Sequence, residues 1–380
     1  MASMVRGGFT QLVGRRRMVK LVGPSRARGC DIWGKCEWEN PGGSVKDRAA
    51  WWMILEAEKA GLLVPGEAGV IVEGTAGNTG IGLALAGRAC GYNTVIVLAD
   101  TQSREKKDLL QRAGAMIVDV PAVPYSDPNN YVHVAQKLAA RLADVPEVGR
   151  VFYSNQWDNL ANRQAHFEST GPEIFEALDG KIDAFSCAVG TGGTISGVGS
   201  YLRQVRPQVK ICLTDPCGAA LVRYYNDGEL GTNGSSISEG IGQGRLTGNM
   251  AHENFRPDHC YEIHDKSMME AIIQLHSEEG LSIGLSAGIN VAGAIRVAEK
   301  LGPGHTVVTV LCDRANRYAS KIYNPEFLEL HGLPVPHWCP QPAHRDSSFT
   351  NIHGGAAAAD ASSFVELHRM VGKHVADIIS

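Results

Sequence analysis

The chain has 380 residues, of which 44% are hydrophobic and 20% charged, with a formal net charge of −4. That length supports two domains with separate cores, and the composition excludes both a disordered chain and a basic nucleic-acid binder. No apolar run approaches the ~18 residues that a bilayer span needs, so an ordinary soluble α/β protein without a membrane span is expected.

Residues 1–30 hold seven arginines or lysines and no acidic residue, the composition of a mitochondrial transit peptide. Met18-Val19-Lys20-Leu21 nevertheless reads as a strand, which favours a folded basic edge over a cleaved presequence. A cytoplasmic setting is expected, with a mitochondrial address as the alternative.

Asn40-Pro41-Gly42-Gly43-Ser44-Val45-Lys46 then leads a glycine loop into a helical pattern, with Ala50, Met53, Ile54 and Ala57 at the i, i+3, i+4, i+7 spacing of a buried face. Lys46 falls in the first turn, where the helix dipole disfavours an ammonium group. Schiff-base lysines occupy such places, although most lysines near a helix start are surface charges.

Two further glycine turns connect an apolar run to a helix. Val70-Ile71-Val72-Glu73-Gly74 runs into Thr75-Ala76-Gly77-Asn78-Thr79-Gly80, and Ala184 to Val189 runs into Gly190-Thr191-Gly192-Gly193-Thr194. Backbone N–H groups at such a junction suit an anion, so the second loop reads as a phosphate cradle or, more plainly, as a tight βα turn. Asp215 ends the next strand, near where a dinucleotide's ribose would be bound. The isoleucine at 195, at the third fingerprint position, argues against that site.

Apolar runs at Val95–Leu98, Met116–Val120, Ala184–Val189, Val209–Leu213 and Thr306–Leu311 alternate with helical stretches, the pattern of parallel sheets covered on both faces. The nine cysteines are odd in number, scattered and without a Cys-x-x-Cys pair, which points to a reducing compartment. His337, Cys339, His344 and His353 lack a recognisable ligand spacing, and no metal is expected. From 337 to 362 the chain reads as a linker; Phe364, Val365, Leu367, Met370, Val371, Val375, Ile378 and Ile379 then predict a short amphipathic helix that docks on the body or on a second subunit.

The Lys46, Asn78 and Gly190 segments resemble the pyridoxal-phosphate enzymes of the cysteine synthase and cystathionine β-synthase family. So do Thr101-Gln102-Ser103, Asn155-Gln156-Trp157-Asp158-Asn159, Glu239-Gly240-Ile241-Gly242, Ser286-Ala287-Gly288 and Arg317-Tyr318. The resemblance runs from about Gly8 to Pro336 and lies nearest cysteine synthase. It implies a two-domain, tryptophan-synthase-β-like fold of type II with twisted, mostly parallel sheets and helices on both faces. Residues 1–45 and 151–336 would form the larger, cofactor-binding domain, and 46–150 the smaller one with the carboxylate loop.

The resemblance also implies the site. Lys46 would hold pyridoxal 5'-phosphate covalently and shuttle protons. Asn78 would bond the ring's phenolic oxygen, and Gly190, Thr191, Gly192, Gly193 and Thr194 would cradle the phosphate, with Gly240 beside the cofactor. Thr75, Ala76, Gly77, Asn78, Thr79 and Gln156 would hold the substrate, the loop and Gln156 gripping its carboxylate. The implied reaction is β-replacement on an activated L-serine such as O-acetylserine, through an α-aminoacrylate, with a thiol or sulfide as nucleophile. Its product would be L-cysteine or a related alanine, made by a homodimer. The alternatives are β-elimination from serine or threonine and a scaffold that keeps the cofactor without turnover.

Three segments depart from the family. Gly14-Arg15-Arg16-Arg17 stands where relatives read Gly-Asn-Thr-Pro. Gly284-Leu285-Ser286-Ala287-Gly288 alters a Gly-Ile-Ser-Ser-Gly run beside the pocket. Arg314 falls where relatives carry the serine or threonine that faces the pyridine nitrogen, which makes it a cofactor-contacting candidate; Asp313 is the other residue that could take that place.

Overall fold

The computed structural model describes residues 8–339, apart from 76 and 103, together with 367, 370, 371, 374 and 375. Its strands are β1 (Met18–Lys20), β2 (Asp31–Cys36), β3 (Gly69–Gly74), β4 (Asn93–Ala99), β5 (Met116–Val120), β6 (Arg150–Tyr153), β7 (Ala184–Cys187), β8 (Lys210–Pro216), β9 (His259–Ile263) and β10 (Thr306–Leu311). They form a six-stranded sheet in the order β1-β2-β10-β7-β8-β9 and a four-stranded sheet in the order β5-β4-β3-β6. Every pairing is parallel except that of β1 with β2. β3 and β7 are buried at every position, which explains their mainly apolar reading: both faces of a parallel sheet lie under helices.

The chain leaves the larger sheet after β2, builds the smaller sheet and returns at β7. A cut between 150 and 151 passes through β6, whose Arg150 and Val151 pair with Gly69 and Val70 of β3. The smaller unit therefore runs through Tyr153, beyond the boundary read from sequence. Its edge strand is four residues long, too short a run to be seen as apolar periodicity. Phe9 also packs on the smaller unit's core, against the cluster of Ala49, Met53 and Leu83, although residues 1–45 were expected to belong wholly with the larger.

Residues 8–30 are ordered into the helix Phe9–Leu12, β1 and the helix Val22–Arg28. The arginine run has a backbone role. Arg15 N and Arg16 N donate to the two oxygens of Glu173 at 2.8 and 3.2 Å, and Arg16 O accepts from Lys35. Lys35 and Arg48, both essentially without solvent exposure, each pair with Glu173 at 2.7 Å, and Arg48 also pairs with the fully buried Glu37 at 2.7 Å. Burial pushes the Glu173 carboxyl up, but Arg48 and Lys35 override it and hold the group at about 2.

Leu367, Met370, Val371, His374 and Val375 are helical, as the amphipathic spacing predicts. Leu367 and Val371 are buried against Val70, Val95, Val134 and Leu138, so the tail covers the smaller unit. Residues 340–366, and with them Phe364, Val365, His344 and His353, lie outside the described residues, as do Ile378 and Ile379. Val371 is 2% exposed. Val371→Ala removes two buried methyl equivalents and is expected to lower stability by about 2 kcal/mol, read as a drop in the urea midpoint.

Candidate active site

Lys46 opens the helix Lys46–Lys59 and is half-buried. The loop before it is anchored to the larger sheet by Val45 N, which donates to Cys312 O at 3.0 Å. Lys46 shares one cavity with Gly190, Thr191, Gly192, Thr194 and Ile195, and Cys187, Ala188, Ile241, Asn290 and Cys312 complete its walls. The structure thus brings together the lysine and the glycine loop, separated by more than 140 positions in sequence.

The loop has the form of an anion cradle. Gly192 has φ +86° and caps the thirteen-residue helix Gly193–Val205, so the free N–H groups of that helix start look into the cavity. Its back is tightly supported. A Cβ at Gly190 would stand 2.4 Å from Gly240 O, and one at Gly192 would stand 2.3 Å from Met250 Cγ. Asn162 Nδ2 donates to Thr191 Oγ1 at 2.8 Å, and Thr247 Oγ1 donates to Thr191 O at 2.7 Å. His166 lies between Thr170 Oγ1, 2.9 Å away, and Thr194 Oγ1, 3.2 Å away; burial lowers its pKa well below the ordinary value and keeps the ring neutral. These residues fit a phosphate ester whose other end meets an amine, which is the shape of pyridoxal phosphate.

Gly77 in turn caps the helix Asn78–Cys90, with φ −145° rather than the left-handed φ of Gly192. Thr79 Oγ1 donates to Gln156 Oε1 at 2.6 Å, and Gln156 is fixed from behind by Glu73, which accepts from its N at 3.1 Å and its Nε2 at 3.4 Å. Thr75, Gly77, Thr79 and Gln156 therefore converge; Ala76 lies outside the described residues. Asn78 Nδ2 donates to Asp313 Oδ2 at 2.7 Å, while Asn78 Oδ1 accepts from Arg317, which also donates to Gly42 O. One arginine so ties the Asn78 loop to the loop that carries Lys46.

Arg314 does not line the cavity, contrary to the sequence reading. It is exposed, with its guanidinium over the Trp38 ring, 5.4 Å from the centroid. Burying an unpaired guanidinium is costly, whereas the indole face accepts it in water. Asp313 is buried elsewhere, accepting from Asn78 and from Tyr318 Oη at 2.7 Å, and Cys312 and Asn290 supply the wall instead. From the helix Leu285–Leu301 only Asn290 reaches the cavity, so the altered 285–287 run leaves these walls unchanged. Asp215 accepts from Val189 N at 2.6 Å and is fully buried, out of reach of any ribose.

Sequence reasoning missed Asn162, His166, Thr247, Asn290 and Cys312. Asn162 and His166 stand four apart on one helical face below the cradle, a spacing that could have flagged them. Asn290 and Cys312 carry no motif.

Glu73 is fully buried, and burial pushes its carboxyl up to about 7 despite donors from Ser154 and Gln156. A folded-state pKa above the unfolded value means that the stability it contributes is present in acid and lost as pH rises through about 7. Glu73→Gln is expected to flatten the decline in stability between the ordinary carboxylate range and neutrality, checked by urea unfolding across pH.

Two mostly parallel sheets with a lysine and an anion cradle facing one cavity define an enzyme built to hold a phosphorylated, carbonyl-bearing cofactor. The chain belongs to the pyridoxal-phosphate dependent enzyme family, whose model matches residues 9–313. It is 47% identical to cysteine synthase 1 of Neurospora crassa, over 86% of this chain and 85% of that protein. With cysteine synthase 2 of Schizosaccharomyces pombe the identity is 41%, over 84% of each. Among solved structures, an O-acetylserine dependent cystathionine beta-synthase from Helicobacter pylori superposes with a TM-score of 0.72 at 29% identity, covering 84% of this chain and 99% of that one. An O-ureido-L-serine synthase superposes with a TM-score of 0.72 at 32% identity, covering 83% and 93%. Among the described residues, no helix is long and apolar enough to cross a membrane.

Proposed function

We propose that the protein catalyses β-replacement on O-acetyl-L-serine or a similarly activated serine, with sulfide as nucleophile, to form L-cysteine. The observation that carries this reading is the presence of Lys46 on the wall of the cavity formed by the Gly190–Thr194 cradle. Similarity to two named cysteine synthases supports the choice of reaction.

Bound there, pyridoxal phosphate supplies the electron sink that makes loss of an α-proton and of a β-substituent feasible. Gly190, Thr191, Gly192, Gly193 and Thr194 would hold its phosphate, and Asn78 would steady the ring. Thr75, Gly77, Thr79 and Gln156, with Ala76 of the same loop, would grip the amino acid's carboxylate, the N-terminus of the helix Asn78–Cys90 favouring the negative charge. Held so, the substrate would offer its Cα–H to Lys46 Nζ, which would take the α-proton as acetate leaves Cβ and return it to Cα once sulfide has added at Cβ. Lys106, beyond the Gln102 turn, pairs with Glu239, next to Gly240, and Lys321 Nζ meets the same carboxylate at 2.7 Å. That contact joins the smaller unit to the loop carrying Ile241 and helps exclude water.

The test is an absorption spectrum of the purified protein before and after O-acetyl-L-serine. A visible cofactor band that shifts with the serine ester and returns on adding sulfide, with cysteine formed in step, supports the reading. A band indifferent to O-acetyl-L-serine sinks that choice of substrate, and pyruvate released without sulfide would mean elimination instead.

The cradle gives a second expectation. Gly192→Ala places a Cβ against Met250 at a residue with φ +86°. Strain of ~1–3 kcal/mol is expected to appear as a roughly tenfold or greater loss of cofactor affinity, measured by reconstitution of the apoenzyme. We further infer a homodimer and a cytoplasmic setting, with the basic N-terminus as the argument for mitochondria; light scattering and localisation of the tagged chain test them.

A further inference from the structure

Away from the cofactor cavity, three side chains with metal-binding chemistry meet at the ends of two neighbouring strands. β8 and β9 run parallel, with Asp215 opposite Glu262 and Pro216 opposite Ile263. Cys217 and His264 therefore leave the sheet side by side, and Cys217 N donates to Ile263 O at 3.3 Å. Residues two apart on a strand share a face, so Glu262 and His264 project together while Ile263 is buried in the core. Cys217 Sγ lies 3.0 Å from His264 Nδ1 and 3.4 Å from Glu262 Oε1. One ligand atom from each residue lies within 4.8 Å of the other two.

These separations are close to what zinc requires. Bonds of ~2.3 Å to sulfur and ~2.0–2.1 Å to nitrogen or oxygen, at a tetrahedral angle, hold donor atoms about 3.5 Å apart. Thiolate, imidazole and carboxylate together suit a borderline-soft cation rather than Mg²⁺ or Ca²⁺. Glu262 and His264 are exposed, which leaves a route for the ion.

We propose that Cys217, Glu262 and His264 form a Zn²⁺ site with its fourth position open to water, binding with release of the thiol proton to solvent. The site departs from the sequence expectation of no metal, because its ligands are 45 and 47 positions apart and only the strand pairing joins them. It also stands next to a support of the active-site loop. Asp265, following His264, accepts from Ile237 N at 2.8 Å and from Ser236 Oγ, and so anchors the stretch that leads to Ile241. An ion at Cys217 would stiffen that anchor.

The experiment is equilibrium dialysis of the tag-free holoenzyme against micromolar ZnCl2, with zinc per chain measured by elemental analysis. The wild type is expected to hold one equivalent more than either Cys217→Ser or His264→Gln, while Cys90→Ser, on a helix of the smaller unit, keeps the wild-type value. Added Zn²⁺ should also raise the melting temperature of the wild type and leave that of both ligand variants unmoved. Equal zinc in wild type and both variants, whether one equivalent or none, overturns the proposal.

Discussion

Replacing Lys46 with alanine is expected to abolish cysteine formation while leaving the fold intact. Among the described residues Lys46 is the only lysine lining the cavity, so no neighbouring amine on those walls can take over its proton transfer. General acid–base assistance alone is worth ~10²–10⁴ in rate, and the covalent hold on the cofactor is lost as well. The side chain is half-buried and Lys46 opens its helix, so little packing goes with it. The check is paired: sulfide-dependent turnover should fall by at least that factor, and the bound cofactor should lose the band of a lysine-linked species. The urea midpoint should stay near that of the wild type. Turnover preserved in Lys46→Ala would remove the basis of the proposed reaction.

Arg48→Met should act in the opposite sense, on the fold before the chemistry. Arg48 has no solvent exposure and bridges Glu37, also unexposed, to Glu173. Its Nε and Nη2 donate to the two oxygens of Glu37 at 2.7 and 2.8 Å. Methionine fills the space but strands the Glu37 carboxylate, whereas Glu173 retains Lys35 and the backbone donors of Arg15 and Arg16. Breaking one side of a buried pair costs ~3–5 kcal/mol, chiefly through the charge left behind. The double variant Arg48→Met/Glu37→Leu removes that charge and should recover much of the loss, a coupling that urea unfolding of the four-member cycle measures. Equal costs for single and double variants would show that Arg48 matters only as packing.

Most of the fold was legible because its parallel strands are largely buried and read as mainly apolar runs; β3, β4, β5, β7, β8 and β10 all announce themselves. β2 did not. It contains Gly34 and Lys35, and Lys35 is buried only because Glu173, far along the chain, neutralises it. β9 is an edge strand whose residues are mostly half-exposed, and β6 is too short to show a period. The candidate site was legible wherever backbone geometry demanded particular residues, as at Gly190 to Thr194 and in the lysine loop. It was not legible where a side chain is chosen by its neighbours in space. Cys312 rather than Arg314 faces the cavity, because the guanidinium finds the Trp38 ring in solvent. Nothing in the linear order near 314 announces Trp38.

The docking of the tail has a consequence for how the chain is made. Val70, Val95, Val134 and Leu138 leave the ribosome early and can assemble the smaller sheet at once. Leu367 and Val371, which cover them, lie more than 220 positions further along the chain than Leu138 and emerge correspondingly later. Until they emerge, the nascent smaller unit therefore carries a bare apolar strip, the kind of surface that recruits chaperones or sticks to a neighbouring chain. Closing it requires a contact across most of the sequence, which is intrinsically slow. Arrival of Leu367 and Val371, rather than formation of the smaller sheet, is the event that ends this exposure.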